Sequence, residues 1–187
     1  SGQTILFHAA AGGVGQIFCQ WAKSLGCSVI GTVGSDEKID IAKKFGCDHV
    51  INYSKDDFQK KVMEITNEEG LPVVYDGVGK VTMEKSLGCL KMRGTFVSFG
   101  NASGKLDPLD VGKLIAPKGL FLTRPSIAHY TATRKELDEA ANKLFEMVKQ
   151  EKVKIDIFKK YSLNDVINAH RDLEARKIIG PAIIVPN

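Results

Sequence analysis

Apolar positions in the first hundred residues fall in short runs that alternate with stretches of helical spacing. The run at 4–9 predicts a strand. Val14, Ile17, Phe18, Trp21, Ala22 and Leu25 then recur on one helical face until Gly26 stops it. The unit repeats. Strands are predicted at 28–33, 49–52, 73–76 and 95–99. Helices are predicted from a Ser35 cap through Ile41, Ala42 and Phe45, at 56–66 with Phe58, Val62 and Ile65 inward, and at 81–90. Strand–helix–strand units of this length connect by right-handed crossovers, so the strands lie parallel with helices on both faces.

The pattern changes after Gly100. Residues 101–118 read as loop with short helical turns, and 120–123 as a sixth strand. Thr133 and Glu136 have capping-box spacing. Behind them Leu137, Ala141, Leu144, Phe145 and Val148 form one apolar stripe, which predicts a long amphipathic helix to about residue 150. A further helix opens at Ser162–Asp165, and 183–185 is a last strand. Residues 1–150 are therefore expected to form one doubly wound α/β domain around a six-stranded parallel sheet. Residues 151–187 are too few for a core of their own. They either wrap this domain or complete another.

The joint between the first strand and first helix carries the candidate chemistry. Ala10, Gly12 and Gly15 stand in the order Ala-x-Gly-x-x-Gly. Gly12 lets backbone approach a phosphate, and Gly15 lets the helix pack on the strand. The helix N-terminus adds free amides and about half a positive charge. Together these point to a Rossmann-type dinucleotide site. In NAD-binding units an acid about 20 positions further on holds the ribose hydroxyls. Here the second strand ends in Thr32-Val33-Gly34-Ser35 with no acid at its end. Ser35 offers a hydroxyl, Lys38 a positive charge, and Tyr53 a hydroxyl or a ring for adenine, so the expected cofactor is NADPH. Asp36 and Glu37 count slightly against it.

Composition narrows the function classes. The 187 residues carry a net charge of +4, dispersed along the chain without interleaved aromatics, which argues against nucleic acid. No apolar run approaches a membrane span. Cys19, Cys27, Cys47 and Cys89 are scattered and read as buried thiols of a reducing compartment, the cytoplasm. His8, His49, His129 and His170 lack metal-ligand rhythm, and His8, inside a strand, reads as a core residue. No Gly-x-Ser-x-Gly elbow is present.

The stretches HAAAGGVG (8–15), GTVGS (31–35), VINY (50–53), VYDGVG (74–79), GTFVSFGN (94–101), LTRPS (122–126) and LEAR (173–176) resemble the medium-chain dehydrogenases/reductases. Within them the chain is similar to the zinc-independent, zeta-crystallin-like quinone oxidoreductases. The resemblance covers nearly the whole chain and implies a preceding GroES-like domain that the tail would complete. It implies hydride transfer from NADPH to a quinone or related electrophile, with enoyl or alkenal reduction, or nucleotide binding without turnover, as alternatives. Gly12, Gly13, Val14 and Gly15 would line the pyrophosphate. Ser35, Lys38 and Tyr53 would face the 2′-phosphate, and Val78 and Gly79 the adenine–ribose region. Ser98, Phe99, Gly100 and Asn101 would lie beside the nicotinamide ribose. Thr123 and Arg124 would flank the nicotinamide, and Arg176 would reach in from the tail. No catalytic residue and no metal ligand is implied. A homodimer paired along the strand at Leu120, Leu122 and Thr123 is expected.

Overall fold

A computed structural model describes residues 1–175 and 177–186. Six strands form one parallel sheet: β1 (Thr4–Phe7), β2 (Ser28–Val33), β3 (His49–Asn52), β4 (Leu71–Asp76), β5 (Leu90–Ser98) and β6 (Phe121–Thr123). Their order across the sheet is β3-β2-β1-β4-β5-β6. Strand order reverses beside β1, so a crevice opens at the carboxyl ends of β1 and β4. This is the expected doubly wound, Rossmann-type α/β sheet.

The helices pack where right-handed crossovers must put them. Helices α1 (Gly13–Ser24) and α2 (Ile39–Lys44) cover one face, with Cys19 and Ala22 of α1 buried against Ile5, Phe7, Val29 and Val33 of the sheet. Helices α3 (Phe58–Ile65) and α4 (Met83–Gly88) cover the other, over Leu6, Ile30, Val74, Leu90 and Phe96. Full burial of each such side chain stabilises the fold by about 1.5–3 kcal/mol. Asp57 caps α3 by accepting from the amides of Gln59 and Lys60.

Several boundaries differ from the pattern-based reading. The 81–90 helix ends at Gly88, because Leu90 is already in the sheet opposite Leu71. Strand β5 is therefore longer than 95–99. Its early part carries exposed Lys91, Met92 and Arg93, and Arg93 has a left-handed φ of 59°. Ser35 does stand before a short turn (Asp36–Lys38), but its side chain makes no capping bond.

Beyond β6 come α5 (Ile127–Tyr130) and α6 (Arg134–Lys149), the latter opened by the Thr133–Glu136 capping box. No residue of α6 is buried, and Phe145 is 64% exposed. The tail adds β7 (Lys159–Ser162), α7 (Val166–Glu174) and β8 (Ala182–Val185), and β7 pairs with β8 in a separate parallel sheet. The tail is stitched back to α1. Gln20 Nε2 donates to the Lys154 carbonyl and Gln20 Oε1 accepts from the Lys154 amide, both at 2.9 Å.

A buried polar network lies under the crevice. His8 is fully buried between Thr32 Oγ1 on Nδ1 and Ser86 Oγ on Nε2, each at 2.8 Å. Ser86 and Thr82 hydroxyls donate to Asp76 Oδ2 at 3.2 and 2.7 Å. Asp76 Oδ1 accepts from the amides of Val78 and Gly79 at 2.8 and 2.9 Å. As expected, His8 is a satisfied core residue. Burial pushes its pKa down to about 4, against the opposing pull of Asp76. The unfolded chain, with an ordinary histidine near 6.5, then binds the proton that the folded chain refuses. Stability contributed by neutral His8 is full above pH 6.5 and falls as pH drops toward 4. Urea unfolding midpoints of His8→Phe should lose that segment of pH dependence relative to the unmutated chain. An identical slope in both would contradict a neutral, buried imidazole.

Candidate functional site

The first turn of α1 is shaped by close backbone approach. A Cβ on Gly15 would stand 2.6 Å from the carbonyl oxygens of both Ala9 and Ala10, so only glycine fits. Ala9 itself has a left-handed φ of 58°, which bends the chain sharply out of β1. Gly12 is the N-cap, its amide donating to the Ala9 carbonyl at 2.9 Å. Gln16 donates back to Gly12 as the first helical bond. Among the described residues nothing accepts from the amides of Gly13, Val14 and Gly15. Helix openings leave such donors pointing outward, with the positive end of the helix dipole behind them.

Gln16 was not singled out in the sequence. It is buried, donates to the Ala11 carbonyl at 2.9 Å, and packs under Gly180, where a Cβ would lie 2.8 Å from its amide nitrogen. The tail thereby runs beside the turn, with the Pro181 nitrogen 3.6 Å from a Cβ built on Gly13. An amphipathic pattern cannot distinguish such a glutamine from a surface one.

At the end of β2 the Ser35 hydroxyl is buried and has no hydrogen-bond partner. The Tyr53 ring edge closes over the neighbouring Gly34, where a Cβ would meet its hydroxyl at 2.9 Å. Lys38 lies one turn on, half-buried, and joins none of the ion pairs among the described residues. Asp36 is turned away, held by Lys55 and by Asn52 Nδ2 at 2.6 Å. Those hydrogen bonds keep its carboxyl below the usual range. Ser35 and Tyr53 thus flank Gly34, the Lys38 amide donates to the Ser35 carbonyl at 3.2 Å, and the neighbouring acid is ion-paired.

The turns after β4 and β5 meet. Gly79, at φ 91°, would place a Cβ 3.0 Å from Asn101 Cα, and Gly100 would place one 2.5 Å from the Gly77 carbonyl oxygen. Arg124, just past β6, reaches across: Nη1 donates to Ser98 Oγ and the Gly100 carbonyl at 2.9 Å, and Nη2 to Asn101 Oδ1 at 3.5 Å. These contacts bring Gly79, Ser98, Gly100, Asn101 and Arg124 together at the carboxyl ends of β4 and β5, with Val78 beside them. Thr123 is exposed at the end of β6. Phe99 is half-buried and packs against the core, covering Gly77 and lying 5.4 Å from the Phe7 ring. Arg176 lies outside the described residues. Among the described residues no group of three His, Cys, Asp or Glu side chains could hold a metal ion.

A family model described as zinc-binding dehydrogenase matches residues 13–150. The chain is 46% identical over 186 residues to quinone oxidoreductase 1 of Escherichia coli (strain K12), covering 98% of this chain and 57% of that protein. It is 44% identical over 186 residues to the 2-haloacrylate reductase of a Burkholderia species, covering 99% and 56%. It superposes on the crystal structure of Escherichia coli quinone oxidoreductase complexed with NADPH at a TM-score of 0.94, with 46% identity, covering 98% of this chain and 57% of that one. The chain spans a little over half the length of these relatives. With that model matched over residues 13–150, the chain belongs to the zinc-binding dehydrogenase family of the medium-chain dehydrogenase/reductase superfamily.

Proposed function

We propose that this chain is the cofactor-binding portion of a cytoplasmic, NADPH-dependent quinone oxidoreductase. The observation that carries the nucleotide reading is the row of unengaged amides at Gly13, Val14 and Gly15, facing the crevice where strand order reverses. The residues present fit the cofactor. The amides would take the pyrophosphate. The unpartnered Ser35 hydroxyl, Lys38 and the Tyr53 hydroxyl would take a 2′-phosphate, which no carboxylate opposes there because Asp36 is bound by Lys55. Val78 and Gly79 would border the adenine ribose. Ser98, Gly100 and Asn101, tied by Arg124, would shape the nicotinamide end with Thr123, and Phe99 would contribute backbone only. When bound, NADPH supplies the hydride. The protein's part is to orient it and to exclude water.

Quinone as acceptor rests on the 43–47% identity to named quinone oxidoreductases. A second reading, reduction of an electron-poor alkene, is favoured by the 44% identical 2-haloacrylate reductase. The family description names zinc, but the described residues of this chain do not fit it. Cys19 and Cys47 face each other inside the core at 3.5 Å, with no third donor converging on them among the described residues. Residues 151–187 are read as completing a second, GroES-like domain. Exposed Phe158, Ile167, Leu173, Ile183 and Ile184 support this, since they leave the tail an uncovered apolar face.

Strand β6 ends the sheet with Phe121 and Leu122 exposed, and a free edge of this kind pairs readily. We read it as a homodimer contact between two β6 edges. Sedimentation equilibrium should return twice the chain mass, and Leu122→Pro, which cannot donate to a ladder, should return the monomer. A monomeric mass for the unmutated chain at micromolar concentration would contradict the pairing.

Titration followed by Trp21 fluorescence tests the cofactor. NADPH should bind more tightly than NADH. Lys38→Ala should lower NADPH affinity about tenfold, the loss of roughly one charge-assisted hydrogen bond, and leave NADH affinity unchanged. Equal affinities for the two nucleotides in the unmutated chain would overturn the 2′-phosphate assignment.

A further inference from the structure

The buried network beneath the crevice does more than satisfy itself, because its two ends sit beneath different parts of the proposed nucleotide site. At one end Thr32 lies three residues before Ser35. Its carbonyl accepts from the Ala10 amide at 3.0 Å, which also ties it to the glycine turn. At the other end Asp76 holds the amides of Val78 and Gly79. His8, whose own amide donates to the Tyr75 carbonyl at 3.0 Å, joins the two ends through its ring. Every member is nearly inaccessible: His8, Thr32, Asp76 and Ser86 at 0% and Thr82 at 1%.

Ser86 donates its hydroxyl hydrogen to the Asp76 carboxylate, and with that bond made its oxygen accepts from Nε2–H of the neutral His8 ring. Nδ1 then carries no hydrogen and accepts from the Thr32 hydroxyl. The Phe58 ring, edge-on at 5.0 Å, holds the imidazole plane. Hydrogen bonds aligned head to tail in a dry interior reinforce one another, and removing one member strands its neighbours.

We infer that His8 is a positioning residue for nucleotide selection: through Thr32 it fixes the loop bearing Ser35, and through Ser86 and Asp76 the turn bearing Val78 and Gly79, while touching neither. The inference rests on the dinucleotide reading above and names what sets the geometry of that same site. The two arms have different consequences. The Thr32 arm supports the 2′-phosphate group of residues, which only NADPH engages. The Ser86–Asp76 arm supports the adenine–ribose turn, which NADPH and NADH share.

Calorimetric titration of both nucleotides, with a thermal melt of each variant, separates these roles. Thr32→Val keeps the shape and removes the donor. It should weaken NADPH about fivefold, the factor given by one net hydrogen bond, and leave NADH within about twofold. Thr32→Ser should restore the NADPH preference. Ser86→Ala should weaken both nucleotides by a similar factor and leave their ratio intact. A lowered melting temperature alone, with both affinities as in the unmutated chain, would overturn the inference and leave a purely structural network. So would equal weakening of both nucleotides by Thr32→Val. If the unmutated chain bound neither nucleotide, the dinucleotide reading itself would fall, and the inference with it.

Discussion

The backbone is pressed together where a Cβ on Gly15 would meet the carbonyl oxygens of both Ala9 and Ala10 at 2.6 Å. That approach seats α1 directly on the end of β1. It puts the first amides of the helix at the carboxyl end of β1, where strand order reverses. Ala9 accepts a left-handed backbone to make the turn, a conformation that costs an L-residue roughly 1–2 kcal/mol. A strained backbone at the carboxyl edge of a doubly wound sheet is a feature of binding sites. The other parts of the crevice are arranged around this one.

Their arrangement depends on buried polarity. Asp76 is a fully buried carboxylate whose two oxygens take four donors: two amides on one, the hydroxyls of Thr82 and Ser86 on the other. An unpaired charge there would cost several kcal/mol, so its retention fixes the turn it serves. Arg124 plays the matching part after β5, where one planar guanidinium binds the Ser98 hydroxyl and the Gly100 carbonyl together. Against this background of satisfied groups, the buried hydroxyl of Ser35 stands out among the described residues as a side-chain polar atom without a partner.

The sheet was legible because its strands are short apolar runs and its helices carry clean apolar stripes. The glycine spacing located the turn, and the lack of an acid after β2 pointed to the phosphate-bearing cofactor. Other features left no such trace. Strand β7 reads Lys-Lys-Tyr-Ser with only Tyr161 buried, and its partner β8 lies some twenty residues on, so no alternation marks it. Ser35 looked like a helix cap because cap and ligand-binding hydroxyls share one residue type and one location. Gln16, Asp76 and the reach of Arg124 depend on contacts across the fold, which spacing along the chain does not encode. The apolar stripe of α6 is plain in the sequence, and the described residues leave it uncovered.

The central claim is that the opening amides of α1 cradle a diphosphate. Heteronuclear NMR of the isotope-labelled chain during NADPH titration tests it most directly. The account predicts saturable shifts of the Gly13, Val14 and Gly15 amide resonances, with Ser35 and Tyr53 following the same isotherm. Shifts confined to other parts of the chain, with those three amides unmoved at saturation, would contradict it.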